Sequence, residues 1–209
     1  MAVPELIHRL SEAEYLAIER AADCKSEFFD GEMFAMSGGT PMHSLIATNL
    51  ASEVGNQLKG RPGVPFNSDL RLKIVATGLC TYPDVSVVCG PLELAGAEDD
   101  VIVNPTLLAE VLSDSTEAYD RGKKFEHYRQ VPTLKEYLLV SQKEPRIEQF
   151  LRNDSSEWRL REAAGLEARL ELPSVKITIA LSEVFANVKF APSSLRVTAR
   201  PPGRKQVVE

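Results

Sequence analysis

The heptapeptide Thr106–Leu112, TLLAEVL, constrains this chain more than any other stretch. Pro105 stands before it and Ser113-Asp114-Ser115 behind it, so an apolar run of strand length is bounded by breakers on both sides. Such a run reads as a strand buried on both faces in the interior of a sheet. Glu110 interrupts it. A carboxylate in that position is costly unless something pairs with it, binds it or keeps it protonated. Side chains on a strand alternate, so Glu110 and Leu112 share one face and Val111 points to the other.

Upstream, Tyr82–Cys89 (YPDVSVVC) is a second strand pattern, and its carboxylate, Asp84, follows Pro83 directly. Two inward carboxylates on consecutive strand-like runs make a natural hard-cation site. A hydrolytic site of this kind gains from a cationic side chain that orients the attacking water and offsets charge growing on phosphorus. The position for it two residues past Glu110 is Leu112. The next helix, expected over about 116–130, offers Lys124 instead. Asp120, Lys124 and Tyr128 fall at i, i+4 and i+8 on one of its faces, so Lys124 can reach back over the two acids. The same spacing also suits an ordinary surface ion pair between Asp120 and Lys124.

Elsewhere the chain is legible in pieces. Ser11 and Glu14 form a capping box for a helix running to about Ala22, with Leu10 placed to pack on Tyr15. Glu27-Phe28-Phe29 and 32–36 flank Asp30-Gly31, a two-residue hairpin turn. Ile46, Leu50, Val54 and Leu58 give a helix over about 42–58 one apolar face. Residues 66–74 alternate and read as one strand with a polar face carrying Asp69 and Arg71. Strands are expected at 134–140, 146–152, 158–162 and 176–181, then a short helix at 182–187. Strands and helices mix without strict alternation, which predicts an α/β (α+β) domain with one mixed central sheet flanked by helices. A single domain over 1–190 is expected, with 191–209, rich in Pro, Ser and Arg, as a disordered tail whose basic residues can touch phosphates.

Composition excludes several classes. A formal net charge of −6 argues against wholesale coating of a polyanion, though a local metal can supply positive charge. The cysteines, Cys24, Cys80 and Cys89, are odd in number and lack C-x-x-C spacing, so neither a disulfide framework nor a zinc site is indicated. No run approaches membrane-spanning length and no leader pattern opens the chain, so a cytoplasmic protein without membrane contact is expected. No Ser-His-Asp set, phosphate loop or dinucleotide fingerprint occurs.

One ordered set of motifs goes further. Pro83-Asp84, Glu110-Val111-Leu112-Ser113, Asp120…Lys124…Tyr128, and Val131-Pro132…Glu136-Tyr137-Leu138-Leu139-Val140 resemble the Uma-type restriction-endonuclease-like family of the PD-(D/E)XK nuclease superfamily. Glu27–Glu32 and His43 are similar to its opening segment, and 165–185 to its closing one. The resemblance implies a restriction-endonuclease-like core and a Mg²⁺-dependent endonuclease acting on DNA, with Mn²⁺ as an alternative ion and a homodimer as the working unit. By it, Asp84 and Glu110 match the metal-binding acids, joined by the Val111 carbonyl. Lys124 matches a lysine carried on the following helix, and Glu27 an acid that completes the site. Leu112 departs from the superfamily's lysine slot, and Ser141-Gln142 from a frequent Asp. That departure and the acidic net charge also suit a non-catalytic, homodimeric nucleic-acid-binding or assembly module on the same scaffold. His43, beside a Gly-Gly loop at a helix start, reads either as a contact to phosphate or metal or as structural.

Overall fold

The computed structural model describes residues 9–96 and 100–190. The expected tail, 191–209, and the acidic residues Glu98 and Asp99 lie outside the described residues. In order, the elements are α1 (Glu12–Ala21), β1 (Ser26–Phe29), β2 (Glu32–Ala35), α2 (Pro41–Leu58), β3 (Val64–Asn67), β4 (Arg71–Ile74) and β5 (Leu79–Thr81). There follow β6 (Val85–Val88), β7 (Val101–Ile102), β8 (Leu107–Val111), α3 (Glu117–Tyr119), a π-helical turn (Asp120–Lys124) and α4 (Phe125–Tyr128). The last elements are β9 (Glu136–Val140), β10 (Arg146–Arg152), β11 (Trp158–Ala164), β12 (Arg169–Leu172), β13 (Ile177–Ala180) and α5 (Leu181–Val184).

Local chemistry explains the N-terminal pieces. Glu14 N donates to Ser11 Oγ at 3.3 Å, and Ser11 N donates to Glu14 Oε2 at 2.7 Å, closing the capping box of α1. Asp30 (φ 51°) and Gly31 (φ 83°) both adopt the left-handed conformation, which a two-residue turn needs to match the twist of β1 and β2. Thr40 caps α2, and the four apolar residues spaced by four, Ile46, Leu50, Val54 and Leu58, are its buried ones.

The sheets are mixed and flanked by helices, the expected class, but among the described residues there are two large ones and a separate hairpin rather than one. The six-stranded sheet runs β11-β10-β9-β8-β6-β3, the five-stranded sheet β2-β1-β5-β4-β7, and β12 pairs with β13. The difference arises where two expected strands break. Residues 66–74 divide at Ser68–Leu70, where Asp69 N turns back to Asn67 Oδ1 at 3.0 Å, so β3 and β4 join different sheets. Tyr82–Cys89 likewise begins its ladder only at Val85: Tyr82-Pro83-Asp84 carries the chain from β5 across to β6, and Pro83 has no N–H to give a ladder. Asp84 therefore sits at a crossing between sheets.

The six-stranded sheet is covered on both faces. Leu107, Ala109 and Val111 of β8 and Leu138 and Val140 of β9 pack with α2, α5 and the β12–β13 hairpin. On the opposite face Leu108 and Leu112 pack with Tyr128, Leu134, Tyr137, Leu139 and residues of β4 and β5. By alternation Glu110 belongs to that second face. Among the described residues no helix is long and apolar enough to cross a membrane.

Candidate active site

Strand β8 is interior, with β6 antiparallel on one side and β9 parallel on the other. Its register with β6 pairs Val85 with Ala109, so one step beyond the ladder Asp84 stands across from Glu110. Backbone and side chain interlock there: Val111 N donates to Asp84 Oδ2 at 2.7 Å, and Asp84 N approaches Glu110 Oε2 at 3.4 Å. The two acids expected to meet are thus neighbours, Glu110 buried and Asp84 open at its tip to a cleft of about 1320 Å³ between the sheets and α2.

Lys124 enters from the helical segment after β8. Its Nζ lies 3.0 Å from Glu110 Oε1, 3.2 Å from Glu27 Oε1 and 3.6 Å from Asp120 Oδ1, and its side chain is only 5 % exposed. Asp120, Lys124 and Tyr128 are all buried, so the i, i+4, i+8 face exists, but as the inner wall of the site rather than a surface ion pair. The helix expected as continuous over 116–130 instead widens into a π turn at Asp120–Lys124. Such turns are rare and concentrate at functional sites. Arg121 pins this one from outside, through Glu117 at 2.9 Å and a bidentate pair with Glu148. Leu112, in the usual lysine slot, is 5 % exposed and belongs to the apolar cluster on Glu110's face.

Glu27 arrives from β1 and is fixed by Thr81 Oγ1, which donates to Oε1, and by the Tyr119 hydroxyl, which donates to Oε2 at 3.0 Å. The Tyr128 hydroxyl, fully buried, donates to Glu110 Oε1 at 2.6 Å, so the third residue of the i, i+4, i+8 face also touches the site. Burial pushes the Glu110 carboxyl well above the usual carboxylate range, against the opposing pull of the Lys124 ammonium. Asp120 is raised for the same first reason. Burial alone would lower Lys124, but Glu110, Glu27 and Asp120 together hold it well above its ordinary value, and it keeps its proton.

His43, three residues past the cap of α2, turns into the cleft, and its Nε2 lies 3.1 Å from Asp84 Oδ2. That hydrogen bond, more than any other effect, raises the imidazole pKa, against the lowering that burial alone would bring. Asp69 stays at the rim, paired with Lys25 at 2.5 Å and not with Arg71, and takes no part in the acid cluster. Arg71 is instead buried against the Tyr82 hydroxyl and Asp100. Thr81 and Tyr119 had no signal in the sequence: each is an ordinary polar residue whose role depends on which strand or turn is brought opposite Glu27.

The donor set suits a hard divalent cation in chemistry and charge. Asp84, Glu110 and the Val111 carbonyl offer oxygen only, and four carboxyl groups (Glu27, Asp84, Glu110, Asp120) face one ammonium and one imidazole. Among the described residues, however, no three His, Cys, Asp or Glu side chains surround a common point as metal ligands. The Lys124 ammonium occupies the space between Glu27, Glu110 and Asp120, doing for these acids what an ion would do.

A family model described as "Putative restriction endonuclease", Uma2, matches residues 12–182. Two uncharacterized proteins of Synechocystis sp. are 40 % identical over 182 residues (87 % of this chain, 94 % of the relative) and 36 % identical over 168 residues (80 % and 95 %). A crystal structure from Anabaena variabilis, described as a putative nuclease belonging to DUF820, superposes with a TM-score of 0.67 at 19 % identity, covering 83 % of this chain and 96 % of that one. That likeness establishes the shared fold.

Proposed function

The chain belongs to the Uma2 family of restriction-endonuclease-like proteins, and from that premise we infer that it is a divalent-metal-dependent endonuclease hydrolysing phosphodiester bonds of DNA. The observation that carries the reading is the meeting of Asp84, Glu110 and Lys124 at the floor of one cleft, although they come from a sheet crossing, a central strand and a π turn. In this reading Asp84, Glu110 and the Val111 carbonyl would hold Mg²⁺, or Mn²⁺ in its place. When bound, such an ion supplies an acidified water and offsets charge on phosphorus. Lys124, kept protonated by three acids, orients the water by donating a hydrogen bond and cannot serve as its base. Glu27 aligns the ammonium, and Tyr128 aligns Glu110. A homodimer would bring two such sites to the two strands of a duplex.

The test is plasmid nicking with Mg²⁺ and with Mn²⁺, comparing the wild type with Asp84→Ala and Glu110→Ala. Both variants should fall to the assay background while their circular dichroism stays native; wild-type nicking by either purified variant removes the reading. One feature favours a second reading, a non-catalytic nucleic-acid-binding or assembly module: the ammonium already neutralises the buried acids without an ion. Duplex binding with no nicking under either ion would select it.

A further inference from the structure

We propose that Gln142 and Thr40 are positioning residues: with His43 they close a ring of hydrogen bonds that begins and ends on β8 and fixes the carboxylate of Asp84. Orientation of Asp84 matters for cleavage only under the nuclease reading, on which this proposal rests.

The ring can be followed bond by bond. Gln142 Nε2 donates to the Leu112 carbonyl at 2.7 Å, and Thr40 Oγ1 donates to Gln142 Oε1 at 3.0 Å. Thr40 Oγ1 in turn accepts from His43 N at 3.1 Å, and His43 Nε2 donates to Asp84 Oδ2 at 3.1 Å. Val111 N donates to the same Oδ2 at 2.7 Å, which returns the path to the residue before Leu112. The end of β8, the turn after β9, the start of α2 and the crossing at Asp84 are thereby tied together, although Thr40 and Gln142 lie 102 positions apart.

Each link needs the group that stands there. A primary amide both donates to a carbonyl and accepts from a hydroxyl, whereas a carboxylate at 142 could only accept. Gln142 is one of the two places where the chain departs from the pattern it resembles, and its amide holds the backbone of the other, Leu112. The Thr40 hydroxyl caps α2 and donates outward at once, which an aspartate cap could not do. Ser141 Oγ accepts from Lys143 N at 3.0 Å and so sets the turn that presents Gln142. Gly39 closes in on the imidazole from the loop: a Cβ there would come within 2.7 Å of His43 Nδ1. Both donors meet on Asp84 Oδ2, and Oδ1 makes no hydrogen bond among the described residues. Asp84 is thus held by one oxygen, with the other left to the cleft.

The experiment reads the His43 Nε2–H directly. Full-length ¹⁵N-labelled protein is followed by nuclear magnetic resonance at one fixed pH, and the resonance is assigned by its absence from His43→Asn. In the wild type it should be a downfield imidazole proton protected from exchange with solvent. Gln142→Glu keeps the length and the acceptor of the side chain but removes its donor. Gln142→Met is neutral, removes both, and guards against an effect of the new charge. Thr40→Val keeps the shape and removes the hydroxyl. All three should exchange the proton about fivefold faster or more, the factor that corresponds to one hydrogen bond of ordinary net strength. Thr40→Ser, which retains the hydroxyl, should match the wild type. A ring broken twice loses no more than a ring broken once, so Thr40→Val combined with Gln142→Met should match Thr40→Val alone.

Unchanged exchange in both Gln142 variants, an unprotected proton in the wild type, or effects that multiply in the double variant would each overturn the proposal. Nicking is the separate arm. Under the nuclease reading Gln142→Met should lower kcat about fivefold and leave KM unchanged. A kcat that stays put while the proton responds would make the ring structural only, and the positioning role fails. Should the proton respond as expected while no protein nicks, the hold on Asp84 stands and the nuclease reading fails. Nicking by the wild type with an unresponsive proton sinks the ring alone.

Discussion

Glu110 and Glu136 are both buried acids on adjacent parallel strands, β8 and β9, yet their surroundings differ in kind. Glu136 shares the face of Leu138 and Val140, under the β12–β13 hairpin, where Gln149 Nε2 donates to it at 2.5 Å and Ser174 donates through both N and Oγ, at 3.2 and 2.5 Å. Its hydrogen-bond donors are neutral, and among the described residues no cation forms an ion pair with it, Arg161 acting only from a distance. Glu110, on the opposite face, meets an ammonium from a distant helix and lies beside an open cleft. A carboxylate in a buried strand is therefore not by itself a mark of function. What marks it is the nature of the neutralising partner: neutral donors close Glu136 off, whereas an ammonium beside an open cleft can share Glu110 with something that enters.

The strongest way to break this contrast is to remove the ammonium. Lys124→Met leaves Glu27, Glu110 and Asp120 facing one another, and stripping one partner from a buried ion pair costs about 3–5 kcal/mol. Nicking should drop by about 10²–10³-fold, the usual cost of losing a preorganised electrostatic donor. Mg²⁺ or Mn²⁺ should raise the variant's melting temperature more than the wild type's, because the uncompensated acids attract it. A variant as stable as wild type and indifferent to ions would place the two glutamates in one class.

The complementary change is Glu136→Leu. It strands the Gln149 amide and the Ser174 donors, at a cost of about 1–3 kcal/mol in denaturant unfolding. Nicking assayed well below the melting temperature should stay at the wild-type level, and the response to ions should not change. Loss of nicking in the folded variant would mean that the sheet transmits strain from one face to the other.

The same contrast explains what the sequence could and could not disclose. Periodicity and turn chemistry located α1, the β1–β2 hairpin, α2, β8 and β10 closely, because each is bounded by local signals: a capping box, Asp-Gly, Thr-Pro, a proline. Sheet membership was hidden. Alternation across 66–74 says which residues share a face but not that Asn67 and Asp69 turn the chain into a second sheet. Glu110 was conspicuous in TLLAEVL, yet EYLLV holds Glu136 in an equally apolar strand, and that acid is closed off by local donors. The set Asp84, Glu110 and Lys124 could be read because motif order carried it. The π turn, and the donations of Thr81 and Tyr119 to Glu27, depend on long-range register that no local pattern encodes.

The smallest effect separates the two acids by pH. Burial raises both carboxyl groups above the ordinary value, Glu110 against Lys124 and Glu136 against Ser174 and Gln149. A raised acid keeps its proton longer in the native state than in the unfolded chain. Between the unfolded value, 4.5, and the raised native one the native state binds the extra proton, so stability is fully present below that window and declines as pH rises through it. One proton can contribute at most about 1.4 kcal/mol per pH unit to that slope. A saturating divalent ion competes with the proton on Glu110 but has no access to Glu136. Metal should therefore flatten part of the decline in the wild type, and Glu136→Gln should flatten a further part that metal leaves untouched. Denaturant unfolding at steps from pH 4.5 to 8, with and without Mg²⁺, resolves the two parts. Overlapping curves for the four combinations would show that the two carboxyls titrate as one network through the sheet, and the distinction drawn from their partners would have to be abandoned.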